Sequence, residues 1–140
     1  CDAGRFIADS GEIADWTISI VMAQFATETE ARDWADRLTS KTTTAYATVD
    51  NKGDWYVDCT SGGVDKGTGA RDFAKHVGVD LADLMVIGDG WNDIPMFEVA
   101  GIPIAMEGAP PELLDRAAGV VPDIGHDGAV TAIERYVLDR

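Results

Sequence analysis

Two short stretches concentrate the residues able to do chemistry. The first is Gly88-Asp89-Gly90-Trp91-Asn92-Asp93, which follows the apolar run Leu84-Met85-Val86-Ile87. A run of that length and character is typical of a buried parallel strand, and in open parallel sheets ligands bind beyond the carboxyl ends of the strands. The loop therefore puts two carboxylates and an amide at a strand end, beside the start of a helix. Carboxylates four apart around a tight glycine turn can face one point, and oxygen ligands of that kind suit Mg²⁺. The same two residues would serve equally as caps of a turn and of the following helix. Other readings fail on the residues. A dinucleotide fingerprint needs a third glycine where Asp93 stands, and a calcium EF-hand loop needs Asp or Asn where Trp91 sits.

The second stretch is Gly62-Gly63-Val64-Asp65-Lys66-Gly67-Thr68-Gly69. Four glycines in eight residues allow close backbone approach to an anion, and the helix that follows presents free N–H groups. It is not a Walker loop, because the Gly-Lys-Ser/Thr order is absent. Lys66 is one of only four lysines, and it lies at a helix start, where the macrodipole disfavours a cation. It is either a phosphate-binding group or an ordinary surface lysine.

These loops need elements to hold them, and the chain divides near Gly62–Gly63. Before that point, residues 16–25 read as a strand through their β-branched and apolar content. A helix starts at Thr27, where Thr27 and Glu30 form a capping-box signature, and Ala31, Trp34, Ala35 and Leu38 fall on one helical face. Two short strands follow, joined by the turn Asp50-Asn51-Lys52-Gly53, which predicts an antiparallel hairpin. After Gly63 helices and strands alternate: a helix over about 66–77, a strand at 84–87, a helix over about 92–99 and a strand at 102–105. A helix opening at Pro110-Pro111-Glu112, a strand at 119–121 and an amphipathic helix over 127–138 complete the series. Alternation with short links means a parallel α/β layer covered on both faces. The expected fold is thus α/β, part of a doubly wound parallel sheet with an inserted α+β segment. Its divisions are residues 1–15 as a connection, 16–61 as the partial α+β module and 62–140 as half of the parallel core.

Composition bounds the partners. With 46% apolar and 26% charged residues over 140 positions, the chain is globular in character. It has no apolar run of the 18–20 residues a membrane span needs and no signal-like opening, so a membrane protein is excluded. The net charge of −14 repels phosphate backbones and argues against a nucleic-acid groove. Asp outnumbers Glu eighteen to seven, a balance that would suit a high-salt cytoplasm or an ordinary acidic cytosolic protein. Cys1 and Cys59 make no disulfide framework and no zinc motif, which points to a reducing, cytoplasmic interior. His76 and His126 stand alone.

Taken together, Val64-Asp65-Lys66-Gly67, some twenty residues of helix and link, and then Val86 through Phe97 resemble the carboxyl half of haloacid-dehalogenase-type phosphatases. The narrower resemblance is to the Cof-like and phosphoglycolate or sugar phosphatase branch. It continues through Val99-Ala100-Gly101 and Ala105-Met106-Glu107-Gly108-Ala109 to Asp127-Gly128-Ala129-Val130, and so covers residues 62–138. The strand–helix–hairpin unit resembles part of that branch's cap. The resemblance implies roles by position. Lys66 matches the lysine that neutralises the phosphoryl oxygens and the nucleophilic carboxylate, Asp89 matches a Mg²⁺ ligand, and Asp93 a second acid, as ligand or as its supporting partner. Asn92 matches the polar residue that helps hold phosphate. The implied activity is Mg²⁺-dependent hydrolysis of a small phosphorylated metabolite, phosphoglycolate or a sugar phosphate, because phosphoryl transfer needs counter-charges such as a lysine and Mg²⁺.

The departure is in the nucleophile. The family attacks phosphorus with the first Asp of an Asp-x-Asp motif, and no two of the eighteen aspartates here are spaced i, i+2. Cys1 through Glu12 resemble the segment just after the family's second motif. The expectation is a carboxyl-terminal part that is inactive alone, its open sheet edge covered by an N-terminal half, a second chain or another copy. The competing reading is a non-catalytic interaction module, or half of a split enzyme. A response-regulator receiver is disfavoured, because its lysine belongs near the chain end and no lysine here lies beyond the acidic loop.

Overall fold

The computed structural model describes residues 19–50 and 52–139. The segment from Cys1 to Ile18, including Trp16 and the first residues of the expected strand, lies outside the described residues. Two three-stranded sheets organise the rest. In the first, β1 (Val21–Phe25) and β2 (Thr43–Val49) both pair antiparallel with β3 (Trp55–Ser61), giving the order β1-β3-β2. Helix α1 (Glu28–Leu38) packs on one face. In the second, β4 (Met85–Gly88), β5 (Ile102–Met106) and β6 (Gly119–Val121) are parallel, in that order. Around it lie α2 (Lys66–Val77), α3 (Ile94–Phe97), α4 (Pro111–Leu114) and α5 (Gly128–Ile133).

The period of two along each strand decides what is buried. In the first sheet Ala45, Ala47 and Val57 pack on Ala31 and Ala35 of α1. The intervening Tyr46, Thr48, Asp58 and Thr60 therefore share the opposite face. Trp34 and Leu38, expected on the apolar face of α1, stay 40% and 37% exposed. A three-stranded sheet buries only the narrow stripe of alanines, and Trp34 instead packs against the Phe25 ring, 6.3 Å away. In the second sheet the two faces of β5 separate two cores. Ala105 faces Phe97, Ala109 and Leu113, whereas Ile104 faces Val121 and Ala132.

The hairpin turn closes as its residues predict. The Gly53 N–H donates to the Asp50 carbonyl at 3.1 Å, and Gly53 takes the left-handed conformation at φ 87°. The Asp50 carboxylate accepts from the N–H groups of Lys52 and Asp54, each at 2.9 Å. These contacts, that from Asp54 foremost, hold the Asp50 carboxyl below its ordinary 3.8. A carboxyl depressed by folding contributes stability above its unfolded value, and that contribution is lost as pH falls through the folded one. Hydrogen-exchange protection of the hairpin amides is accordingly expected to fall as the solution is acidified below pH 3.8. In Asp50→Ala that acid dependence should largely disappear.

Helix α2 begins at Lys66 because Asp65 and Thr68 cap it reciprocally. The Thr68 N–H donates to the Asp65 side chain at 2.7 Å, and the Asp65 N–H donates to the Thr68 hydroxyl at 3.0 Å. It ends at Gly78, left-handed at φ 72°. Two expected helices are shorter or altered. Residues 92–99 resolve into a 3-10 turn, Trp91–Asp93, and the single turn of α3. The last helix widens after Ile133 into a π turn over Glu134–Leu138, which coincides with Tyr136 packing on the sheet. A Cβ added at Gly119 would lie 2.0 Å from the Tyr136 hydroxyl.

Candidate functional site

The carboxyl end of β4 and the start of α2 meet. The chain leaves β4 at Gly88, which is buried, and the Asp93 side chain folds back over it. A Cβ at Gly88 would lie 2.7 Å from that of Asp93, so only glycine lets the loop close this tightly. Asp93 is 2% exposed. Its Oδ2 accepts from the N–H groups of Asp89 and Gly90 at 2.8 and 3.0 Å, which fixes the loop. Its Oδ1 pairs with the Lys66 Nζ. The same Nζ donates to Asn92 Oδ1 at 3.4 Å. Lys66, Asn92 and Asp93 thus converge from two elements that are 26 and 27 residues apart in sequence.

Lys66, Asn92, Asp89, Gly90 and Trp91 line a cleft of about 270 Å³, which Thr48 and Val49 of the first sheet complete. A second cavity of about 190 Å³ shares Lys66 and Asn92 and is walled by Tyr46, Asp58, Thr60 and Asp65. The polar face of the first sheet therefore lies over the lysine.

The loop residue between the two carboxylates ties the sheets together. The Trp91 ring lies 5.5 Å from that of Trp55, and the Arg32 guanidinium sits 4.4 Å from its centroid. Glu28 holds Arg32 in place at 2.8 Å. Such a cation–π contact is worth about 0.5–2 kcal/mol, so Trp91 clasps the acidic loop to α1 and β3. Tyr46 and Trp55 both reach this region, while Trp34 packs away from it.

Two groups over the lysine are perturbed. Burial pushes the Asp58 carboxyl above its ordinary range, against the opposing pull of the Thr48 hydroxyl and the Lys66 charge. Burial, with the nearby charges of Asp65 and Glu98, raises the Tyr46 phenol.

A divalent cation fits the donor set in part. Asp89 is exposed at the cleft, whereas both oxygens of Asp93 are engaged by the lysine and the loop amides. Among the described residues no three Asp, Glu, His or Cys side chains gather to hold a metal. Mg²⁺ commonly takes one or two protein carboxylates and fills the remaining positions with water and phosphate oxygens. Asp89 fits that demand as one ligand. Sequence reasoning found Lys66, Asp89, Asn92 and Asp93 but missed Arg32, Thr48 and Asp58. The signal for Thr48 and Asp58 was their even positions in the hairpin, opposite the alanine face. For Arg32 there was none, because its partner Trp91 lies across the fold.

The sequence pattern of haloacid dehalogenase-like hydrolases matches residues 7–133. The chain belongs to that family. Similar proteins include the phosphoglycolate phosphatase of Methanoculleus marisnigri, 39% identical over 74 residues, which are 53% of this chain and 32% of that protein. The phosphoglycolate phosphatase of Methanosarcina acetivorans is 41% identical over 87 residues, 61% of this chain and 37% of the relative. The chain thus spans about a third of the length of these relatives. Among solved structures, a phosphatase of the haloalkanoate enzyme superfamily from Bacteroides thetaiotaomicron superposes with a TM-score of 0.64 at 29% identity. That match covers 84% of this chain and 41% of the other. Among the described residues no helix of this hydrolase-family chain is long and apolar enough to cross a membrane.

Proposed function

We propose that these residues form the phosphate- and metal-binding part of a Mg²⁺-dependent phosphomonoester hydrolase for a small phosphorylated metabolite, phosphoglycolate or a sugar phosphate. The observation that carries the reading is the convergence of Lys66 and Asn92, which line a cleft together with Asp89, with Lys66 also paired to the buried Asp93. Phosphoryl transfer spreads negative charge over the equatorial oxygens, and catalysis rests on positioning and counter-charge. Lys66 supplies a cation aimed by its two partners. Asn92, whose Oδ1 accepts from the lysine, keeps its amide N–H groups to donate to a phosphate oxygen. Asp93 holds the loop, and Asp89 offers a ligand for Mg²⁺, which when bound would supply further counter-charge. The names of the relatives support the phosphate-ester substrate, and the small cavities support a small leaving group.

No two aspartates here stand two apart, so the Asp-x-Asp attack that the family resemblance implies is not provided by these residues. The 140 residues alone are expected to bind phosphate and not to hydrolyse p-nitrophenyl phosphate. Calorimetric titration with inorganic phosphate in the presence of Mg²⁺ tests the binding. Lys66→Ala is expected to weaken it tenfold or more, the loss of one charge-assisted contact being worth about 1.5–3 kcal/mol. Phosphate binding unaffected by Lys66→Ala would place the ligand elsewhere and sink the reading.

A further inference from the structure

We propose that Asp58 selects the leaving group. It admits phosphate esters whose leaving group carries hydroxyls and rejects those whose leaving group carries a carboxylate. The inference rests on the phosphatase reading of the same site, but it separates two substrates that the reading leaves together.

Asp58 stands on β3 directly opposite Tyr46 of β2, on the sheet face that lies over Lys66. It walls the 190 Å³ cavity together with Tyr46, Thr60, Lys66 and Asn92. Its Oδ2 accepts from the Thr48 hydroxyl at 3.3 Å, while its Oδ1 is buried without a hydrogen-bond partner. A carboxylate in that condition has unspent accepting capacity, and a buried acceptor left unpaired is costly. A ligand O–H in the cavity meets in Asp58, which lines it, a carboxylate able to accept. A group that brings a second negative charge adds repulsion and offers no donor.

The charge around the cavities points the same way. Lys66 is the one cation among the described residues lining either the 190 or the 270 Å³ space, and it faces Asp58, Asp65 and Asp89 there. It is also engaged with Asp93 and Asn92. Of the basic residues on the overlying module, Arg32 is stacked on Trp91 and Arg37 on Trp34. Neither they nor Lys41 and Lys52 line these spaces. With Lys66 taken by the phosphate, the carboxylate of phosphoglycolate would meet acceptors and negative charge. The hydroxyls of a glycerol or sugar ester would meet Asp58, Thr60 and Tyr46.

Glycerol phosphate and phosphoglycolate, matched in size, are the probes. Each is titrated calorimetrically into the 140-residue chain with Mg²⁺, with inorganic phosphate as reference. Glycerol phosphate is expected to bind about tenfold tighter than phosphoglycolate, the order expected for one unscreened like-charge contact. Asp58→Asn should close that gap by tightening phosphoglycolate. Equal or tighter binding of phosphoglycolate by the unaltered chain would overturn the inference, and this arm needs no variant. A gap unchanged in folded Asp58→Asn would overturn it as well. Both outcomes leave Lys66-dependent binding of inorganic phosphate, and so the phosphatase reading, intact. Absence of that phosphate binding would defeat the reading and the inference together.

Discussion

Asp93→Ala is expected to lower the melting temperature by roughly 10 °C and to abolish phosphate binding. The size follows from what the carboxylate holds. Two backbone N–H groups, of Asp89 and Gly90, lose their acceptor. A hydrogen bond to a charged group is worth about 1.5–3 kcal/mol, so the two together come to about 3–4 kcal/mol once the loop relaxes. The pair with Lys66 adds little to stability, because that side chain is 49% exposed and water replaces its partner. In a chain of this length each kcal/mol moves the melting temperature by about 3–4 °C. Asp93→Asn separates the two duties. An amide oxygen can still accept from both N–H groups, so the melting temperature should fall by only a few degrees. The lysine, however, loses its counter-charge and its aim, and phosphate binding should still weaken strongly. Calorimetric melting of both variants beside phosphate titration checks this, and an unshifted melting temperature in Asp93→Ala would contradict the role assigned to the loop contacts.

The contrast between the two halves of Asp93's work explains what was legible in the sequence. A carboxylate four residues beyond another at a strand end reads as a metal ligand or a cap, and the spacing alone leaves both open. The fold directs one oxygen to the loop amides and the other to a lysine 27 residues earlier, which no local pattern encodes. Local signals did locate the elements. The helix expected over about 66–77 does begin at Lys66, where the structure shows the Asp65 cap, and the expected turn at Asp50 sets the hairpin, because both are determined by contacts within four residues. The helix expected over 92–99 was shortened because its first turn is a 3-10 turn over Trp91–Asp93, while Pro95 removes a donor N–H from the turn that follows. Helical periodicity likewise put Trp34 on the buried face of α1, but the area of the facing sheet decides how much of that face is covered. Trp91 and Arg32 meet across the interface between the sheets, a tertiary fact that composition and spacing leave unexpressed.

Gly67→Ala is expected to separate the two loops and so to cost both stability and binding. Gly67 is buried where α2 crosses α3, and a Cβ there would lie 2.4 Å from the Pro95 carbonyl oxygen and 2.8 Å from its carbon. Backbone atoms cannot swing aside as a side-chain tip can, so one helix must move. Overpacking of this kind costs about 1–3 kcal/mol, which corresponds to a loss of about 3–10 °C in melting temperature. The displacement acts where it matters, since Gly67 neighbours Lys66 and Pro95 follows Asp93 by two residues. Moving α2 outward draws the lysine away from Asn92 and Asp93, so phosphate affinity should fall at least tenfold. Gly69→Ala is the control in the same helix. Nothing lies within 4 Å of a Cβ at Gly69, and replacing a helical glycine by alanine gains about 0.5–1 kcal/mol. One substitution should therefore lower the melting temperature and the other raise it, although both replace glycine by alanine in a single helix. If both changed it in the same direction, helix propensity rather than the approach of α2 to Pro95 would govern this junction. The positioning of Lys66 would then need another explanation.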